Sequence, residues 1–174
     1  MRFNKTIYLK EMTAMVDAAF DKFSSEQPAF EIFIASVCTD SNAAASSISF
    51  DSKGNSDTKI EQSNAWNKKY YEQYLAEGNL EQAQLFEPEQ GRNCNPAGFI
   101  LRDYIECVNT SISTNWEEKT KGKCWHTLEP LLKEIGQYAF AKIKQLKTHP
   151  DFELSVNGRE DWYQFTWNDT PSVT

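Results

Sequence analysis

Phe30-Glu31-Ile32-Phe33-Ile34-Ala35-Ser36-Val37 is a nearly continuous run of apolar and β-branched residues, and its reading decides the fold. Strict apolar–polar alternation would mark a strand with one wet face; a run this continuous marks a strand buried on both faces, central in a sheet. Thr39-Asp40-Ser41-Asn42 supplies turn chemistry, and Ala45 to Phe50 alternates weakly as a second strand paired with the first. Upstream, Tyr8, Met12, Met15, Val16, Ala19, Phe20 and Phe23 recur on one face of a helix. Ser24, Ser25 and Gln27-Pro28 end it.

Downstream, the polar stretch Asp51 to Asp57 reads as a solvated loop; its glycine falls too early for a calcium loop and no glutamate closes it. Thr58 to Leu75 reads as a helix carrying Ile60, Trp66, Tyr70, Tyr71 and Tyr74, with Asn64 placed to cap Trp66 onward. Gly78-Asn79 breaks it. Glu81 to Gly91 is acidic and glutamine-rich and reads as a surface excursion anchored by Leu80, Leu85 and Phe86. Asn95-Pro96 is a helix start, and Leu101, Tyr104, Ile105, Val108 and Ile112 supply its apolar face. A last helix carries Leu128, Leu131, Leu132, Ile135, Ala139, Ile143 and Leu146, with Pro130 in its first turn and His149-Pro150 at its close. Phe152, Leu154 and Val156 then alternate with polar residues. Asn157-Gly158 is a hairpin-turn signal, and Tyr163, Phe165 and Trp167 alternate again. The order predicts one α+β domain over residues 1–168, a mostly antiparallel four-stranded sheet covered by about four helices, with 169–174 as a frayed tail.

The 174 residues carry 25 Asp and Glu against 18 Lys and Arg, a net charge of -7, with a sequence pI near 4.9 and a mean hydropathy of -0.63. Phosphate contacts need clustered cations. The one short group, Lys119, Lys121 and Lys123, sits beside Glu117 and Glu118, so nucleic acid is not the expected partner. No apolar run approaches the length of a membrane span. The basic start is followed by Lys10, Glu11 and Asp17 rather than an apolar segment, which makes the cytoplasm the expected compartment. Cys38, Cys94, Cys107 and Cys124 show no paired spacing and read as free thiols.

Catalytic signatures are sparse. There are only two histidines; Cys124 and His126 would share one face if they lay on a strand, which is the one Cys–His dyad on offer. Adding Cys94 and Cys107 to that pair gives the one candidate metal set, with spacings that match no standard zinc module. Phosphate-binding loops, dinucleotide fingerprints and zincin helices are missing. The expectation is therefore a binding protein with no catalytic residues, no metal and no cofactor.

The aromatics give the binding surface its first outline. Trp66, Tyr70 and Tyr74 are spaced to pack a helix onto the sheet, which leaves Tyr71 off that face. Tyr71, with the acids Glu77, Glu81, Glu87 and Glu89, and Trp116 with Glu117 and Glu118, are the expected partner-binding residues, because aromatics among acids suit a basic protein.

An amphipathic helix running into Phe30–Val37 and then Thr39-Asp40, a helical Asn64-Ala65-Trp66, and an Asn157-Gly158 turn before an aromatic last strand together resemble the bacterial domain-of-unknown-function family 4303. Similar proteins lie near polymorphic toxin loci and resemble immunity proteins. The resemblance implies a small cytoplasmic antidote that binds a cognate toxin, with a basic nuclease-type toxin matching the acidity. The alternatives are a non-catalytic adaptor module and an enzyme built on Cys124 and His126.

Overall fold

The computed structural model describes residues 3–169. It divides into two compact units: a sheet unit, Met1–Lys53 with Asn95–Thr174, and a helical unit, Gly54–Cys94. The sequence reading drew no boundary there.

In the sheet unit, α1 (Lys5–Glu26) begins at Asn4, whose side chain accepts the Ile7 N–H at 3.2 Å, so one of the helix's open N–H groups is capped. The predicted face is buried: Tyr8, Met12, Met15, Val16, Ala19 and Phe23. β1 (Ile32–Thr39) and β2 (Ala45–Asp51) pair antiparallel, with Val37 opposite Ile48. The 3₁₀ turn Pro96–Gly98 leads into β3 (Leu101–Val108); α4 (Trp116–Thr120), α5 (Cys124–Ile143), β4 (Thr148–Val156) and β5 (Phe165–Asn168) follow.

The strands form one five-stranded sheet in the order β3-β2-β1-β4-β5. β1 runs parallel to β4, and the other neighbours are antiparallel. The α+β class holds; the four-stranded, mostly antiparallel sheet is corrected to a mixed sheet of five. Among the described residues five α-helices are formed, two of them a single turn or so long.

The extra strand is β3, which the spacing of Leu101, Tyr104 and Ile105 assigns to a helix. Its pairing with β2 shifts register between Ile48 and Phe50, and Asp103 sits there with φ of 46°. Such a bulge inserts residues and re-aims side chains. Leu101, Tyr104 and Ile105 thereby all pack against the core, while Val108 is exposed.

Other boundaries also move. The predicted loop at 51–57 is the end of β2 and the start of α2 (Lys53–Ala76). The group Lys119, Lys121 and Lys123 begins inside α4, which Lys121 closes in the left-handed region with φ of 51°. α5 starts at Cys124, so Pro130 lies inside it rather than in the first turn and cannot donate to the His126 carbonyl. His149 and Pro150 belong to β4, where the β1–β4 register is irregular, the kind of place a strand tolerates proline.

β1 is the central strand, and the reading of Phe30–Val37 holds: Ile32, Ile34, Ala35, Ser36 and Val37 are all fully buried. On one side, Ala35 and Val37 meet the helix layer, in which α1 packs on β2, β3 and α5, and α5 on β4 and β5. Each large side chain removed from water there, such as Leu128, Leu132 or Phe50, contributes ~1.5–3 kcal/mol. The opposite side carries small polar groups. Ser155 donates to Ser36 at 3.0 Å, and Ser47 donates to Asp103 at 2.8 Å.

The helical unit pairs α2 with the short α3 (Leu80–Gln84), which Asn79 caps by accepting the Gln82 N–H. Gly78, with φ of 70°, makes the turn between them. Of the predicted tail, Asp169 is described and forms an ion pair with Lys144; residues 170–174 lie outside the described part.

Candidate functional site

At the C-terminal ends of the parallel pair β1 and β4, three connections of the sheet unit converge: residues 40–44, 157–164 and 121–123. Each is held by its own chemistry. Asp40 accepts the Ala44 and Ala45 N–H groups at 2.8 and 3.3 Å, so its carboxylate ties the two ends of the turn together, and Ala43 takes a φ of 61° within it. Asn157 does not make the predicted two-residue hairpin turn. Its amide faces Thr39, accepting the backbone N–H at 2.7 Å and donating to the carbonyl at 2.8 Å. The β4–β5 connection is therefore longer, and Asp161 shapes it: its carbonyl accepts the Gly158 N–H and its carboxylate accepts the Tyr163 N–H.

The third connection packs on Arg159. The guanidinium donates to Glu117 at 2.9 Å and lies so close over Gly122 that a β-carbon there would stand 2.3 Å from it. Beneath these loops, Thr39, Ser46 and Asn109 form a buried network, with the Thr39 and Ser46 hydroxyls 2.9 Å apart and the Asn109 amide donating to Ser46 and to the Ala43 carbonyl. Satisfied polar networks of this kind fix a unique loop arrangement.

Two of the clefts on this end share Trp162. One, of about 150 Å³, lies between Ser41, Trp125, Gly158 and Trp162. The other, of about 390 Å³, is bounded by Cys38, Asp40, Arg102, Asp103, Glu106 and Trp162. Trp162 belongs to both and is 61% exposed. Asp103 is engaged by Ser47 and by Arg102 at 2.9 Å. Asp40, Glu106 and Asp161 have no cation partner among the described residues. Burial raises the Cys38 thiol above its ordinary value, against the Ser36 hydroxyl, and the Asp103 charge adds to the rise. Such a thiol is a poor nucleophile at neutral pH.

The helical unit offers a different surface. The rings of Trp66, Tyr70 and Tyr74 gather on Phe86, with centroids 5.9, 5.3 and 5.6 Å from it, so the partner of this aromatic row is Phe86 rather than the sheet expected from its spacing. Asn64 and Glu89 exchange two hydrogen bonds through the Asn64 amide, and Ser63 donates to the Glu89 carboxylate. Asn64 thus lies within α2 and ties down the returning chain; it does not cap a helix start. Between Tyr70 and Gly91 stand five glutamates and no lysine or arginine. Leu75, Leu80 and Leu85 are exposed among them.

The predicted partner-binding residues fall into two groups. Tyr71, half-buried, and the exposed Glu77, Glu81, Glu87 and Glu89 all belong to the helical unit. Trp116, Glu117 and Glu118 belong to the sheet unit. There Trp116 stacks on Phe3 at 4.8 Å, Glu117 holds Arg159, and Glu118 is exposed. Trp162, Asp40, Glu106 and Asn157 were missed; an exposed tryptophan within a long loop was the available signal, concealed by reading Asn157-Gly158 as a tight turn.

Cys124 and His126 both lie on α5. Two residues apart on a helix, side chains diverge by about 200°, and Cys124 is buried whereas His126 is exposed. The geometry does not place them as a dyad. Among the described residues no three His, Cys, Asp or Glu side chains are grouped to hold a metal ion, and no helix is long and apolar enough to cross a membrane.

Compared with known proteins, the chain matches no family model, no curated protein and no solved structure.

Proposed function

We propose that this protein acts by binding another protein, as a cytoplasmic immunity protein that neutralises a cognate bacterial toxin domain, with a basic nuclease-type toxin as its partner. The observation that carries the reading is the surface of the helical unit. Five glutamates, of which only Glu72 has a cation partner among the described residues, Lys68, stand in the same stretch as exposed Leu75, Leu80 and Leu85. Exposed apolar side chains inside a field of one sign suit an interface in which apolar contact supplies affinity and charge supplies rate and partner choice. The net charge of -7 extends the same preference over the whole molecule.

Co-expression with the product of the neighbouring gene tests the reading. The two proteins are expected to co-purify as a complex that weakens with rising salt, and cells carrying the toxin gene are expected to survive only with this chain. Absence of binding and of protection with the neighbouring toxins would overturn it.

A further inference from the structure

We propose that the cleft beside Trp162 in the sheet unit receives an arginine or lysine side chain from a basic protein partner. The inference rests on the protein-binding function proposed above and names a contact within it.

Trp162 stands apart from the other tryptophans of the sheet unit. Trp116 stacks on Phe3, Trp125 is 2% exposed, and Trp167 packs over Gly136. Core packing accounts for those three. Trp162 is held in the open by a connection whose conformation is set from both ends, through Asn157 on Thr39 and Asp161 on the Gly158 and Tyr163 N–H groups. A rigidly presented tryptophan is the residue type that most often dominates a protein interface.

The charge around it selects the partner. Asp40 and Glu106 border the same cleft and have no cation of their own among the described residues, whereas Arg102 is held by Asp103 and Arg159 by Glu117. An incoming cation would find uncompensated carboxylates and the face of an indole, a combination that favours guanidinium or ammonium. An incoming anion would find Arg102, the cation lining this cleft, already paired. The cleft, at about 390 Å³, has room for a long basic side chain.

The test uses the full chain labelled with ¹⁵N and a (Gly-Arg)₅ decapeptide as probe, with the Trp162 indole N–H assigned from W162F. A saturable shift of that resonance is expected. Affinity should fall about tenfold in W162A and about threefold in E106Q, remain unchanged in E31Q, and vanish for a (Gly-Glu)₅ peptide. An unmoved Trp162 resonance, or W162A binding as tightly as the parent, overturns the proposal. The neighbouring toxin separates the two ideas. If it binds the parent and W162A alike, the cleft is wrong and the immunity function stands. If no toxin binds the parent while the peptide still loads Trp162, the function is wrong and the cleft stands.

Discussion

Asn157 satisfies both main-chain groups of Thr39 with a single side-chain amide, accepting the N–H at 2.7 Å and donating to the carbonyl at 2.8 Å. Thr39 is the last residue of β1 and Asn157 follows the last residue of β4, so the amide extends the parallel pair by one rung after the strands have ended. Both residues are buried.

Asn157→Ala should therefore cost ~2–3 kcal/mol, because two buried main-chain groups lose their partner. Urea unfolding measures this as a lower midpoint with an unchanged slope. Asn157→Asp should recover little, since a carboxylate accepts from Thr39 but cannot donate to it. A loss under about 0.5 kcal/mol in the alanine variant would mean that water replaces the amide.

The glycines of α5 and α2 should respond in opposite senses to alanine. A β-carbon on Gly136 would lie 2.2 Å from the Trp167 ring, whereas one on Gly54 would have nothing within 4 Å. Gly136→Ala is expected to destabilise by ~1–3 kcal/mol through overpacking, despite the better helix propensity of alanine. Gly54→Ala is expected to stabilise by up to ~1 kcal/mol. Thermal melts of the two variants check the signs.

Alkaline pH should destabilise the protein partly through Cys107. Burial, with the Glu11 charge adding to it and a backbone hydrogen bond from Ser46 opposing, lifts this thiol from 9.0 to about 11. A group whose folded value is raised contributes stability that is complete below its unfolded value and is lost as pH climbs through the folded one. The window is therefore pH 9 to about 11. Cys107→Ala should flatten the fall of the urea midpoint across that window and leave its slope at pH 7 alone. An identical pH profile in the variant would remove Cys107 from the account.

Phe86→Ala should loosen the helical unit by itself. Its ring is the common contact of Trp66, Tyr70 and Tyr74, and aromatic pairs contribute ~0.5–1.5 kcal/mol each beyond their burial. Hydrogen exchange is expected to speed up in residues 54–94 while amides of β1 and β4 keep their protection, as separate cooperative units do. Equal loss of protection in β1 would show that the two units open together.

Much of the scaffold was legible because its signals are local. The α1 face repeats every three or four residues, and the continuous apolar run of β1 can only be central. β3 was not, for a physical reason: the bulge at Asp103 brings Leu101, Tyr104 and Ile105 to one side, and that spacing imitates a helix. The parallel β1–β4 pairing joins distant segments, which no local pattern encodes. The hairpin was half legible, since β4 and β5 do pair as expected but Asn157 uses its amide across the sheet instead of in a tight turn. That one misreading also concealed the loop bearing Trp162. In the helical unit, the spacing of Trp66, Tyr70 and Tyr74 identified a common face correctly but not its occupant, Phe86.

The parallel pairing of β1 with β4 also has a temporal side. Ile34 finds Glu153 and Val37 finds Val156, so the most apolar strand of the chain emerges well before its neighbour on one flank. At ~5–20 residues per second of synthesis, β1 waits on the order of ten seconds beside the ribosome with one flank open. During that interval β2, already made and able to close the other flank, is what keeps it from pairing with a stranger.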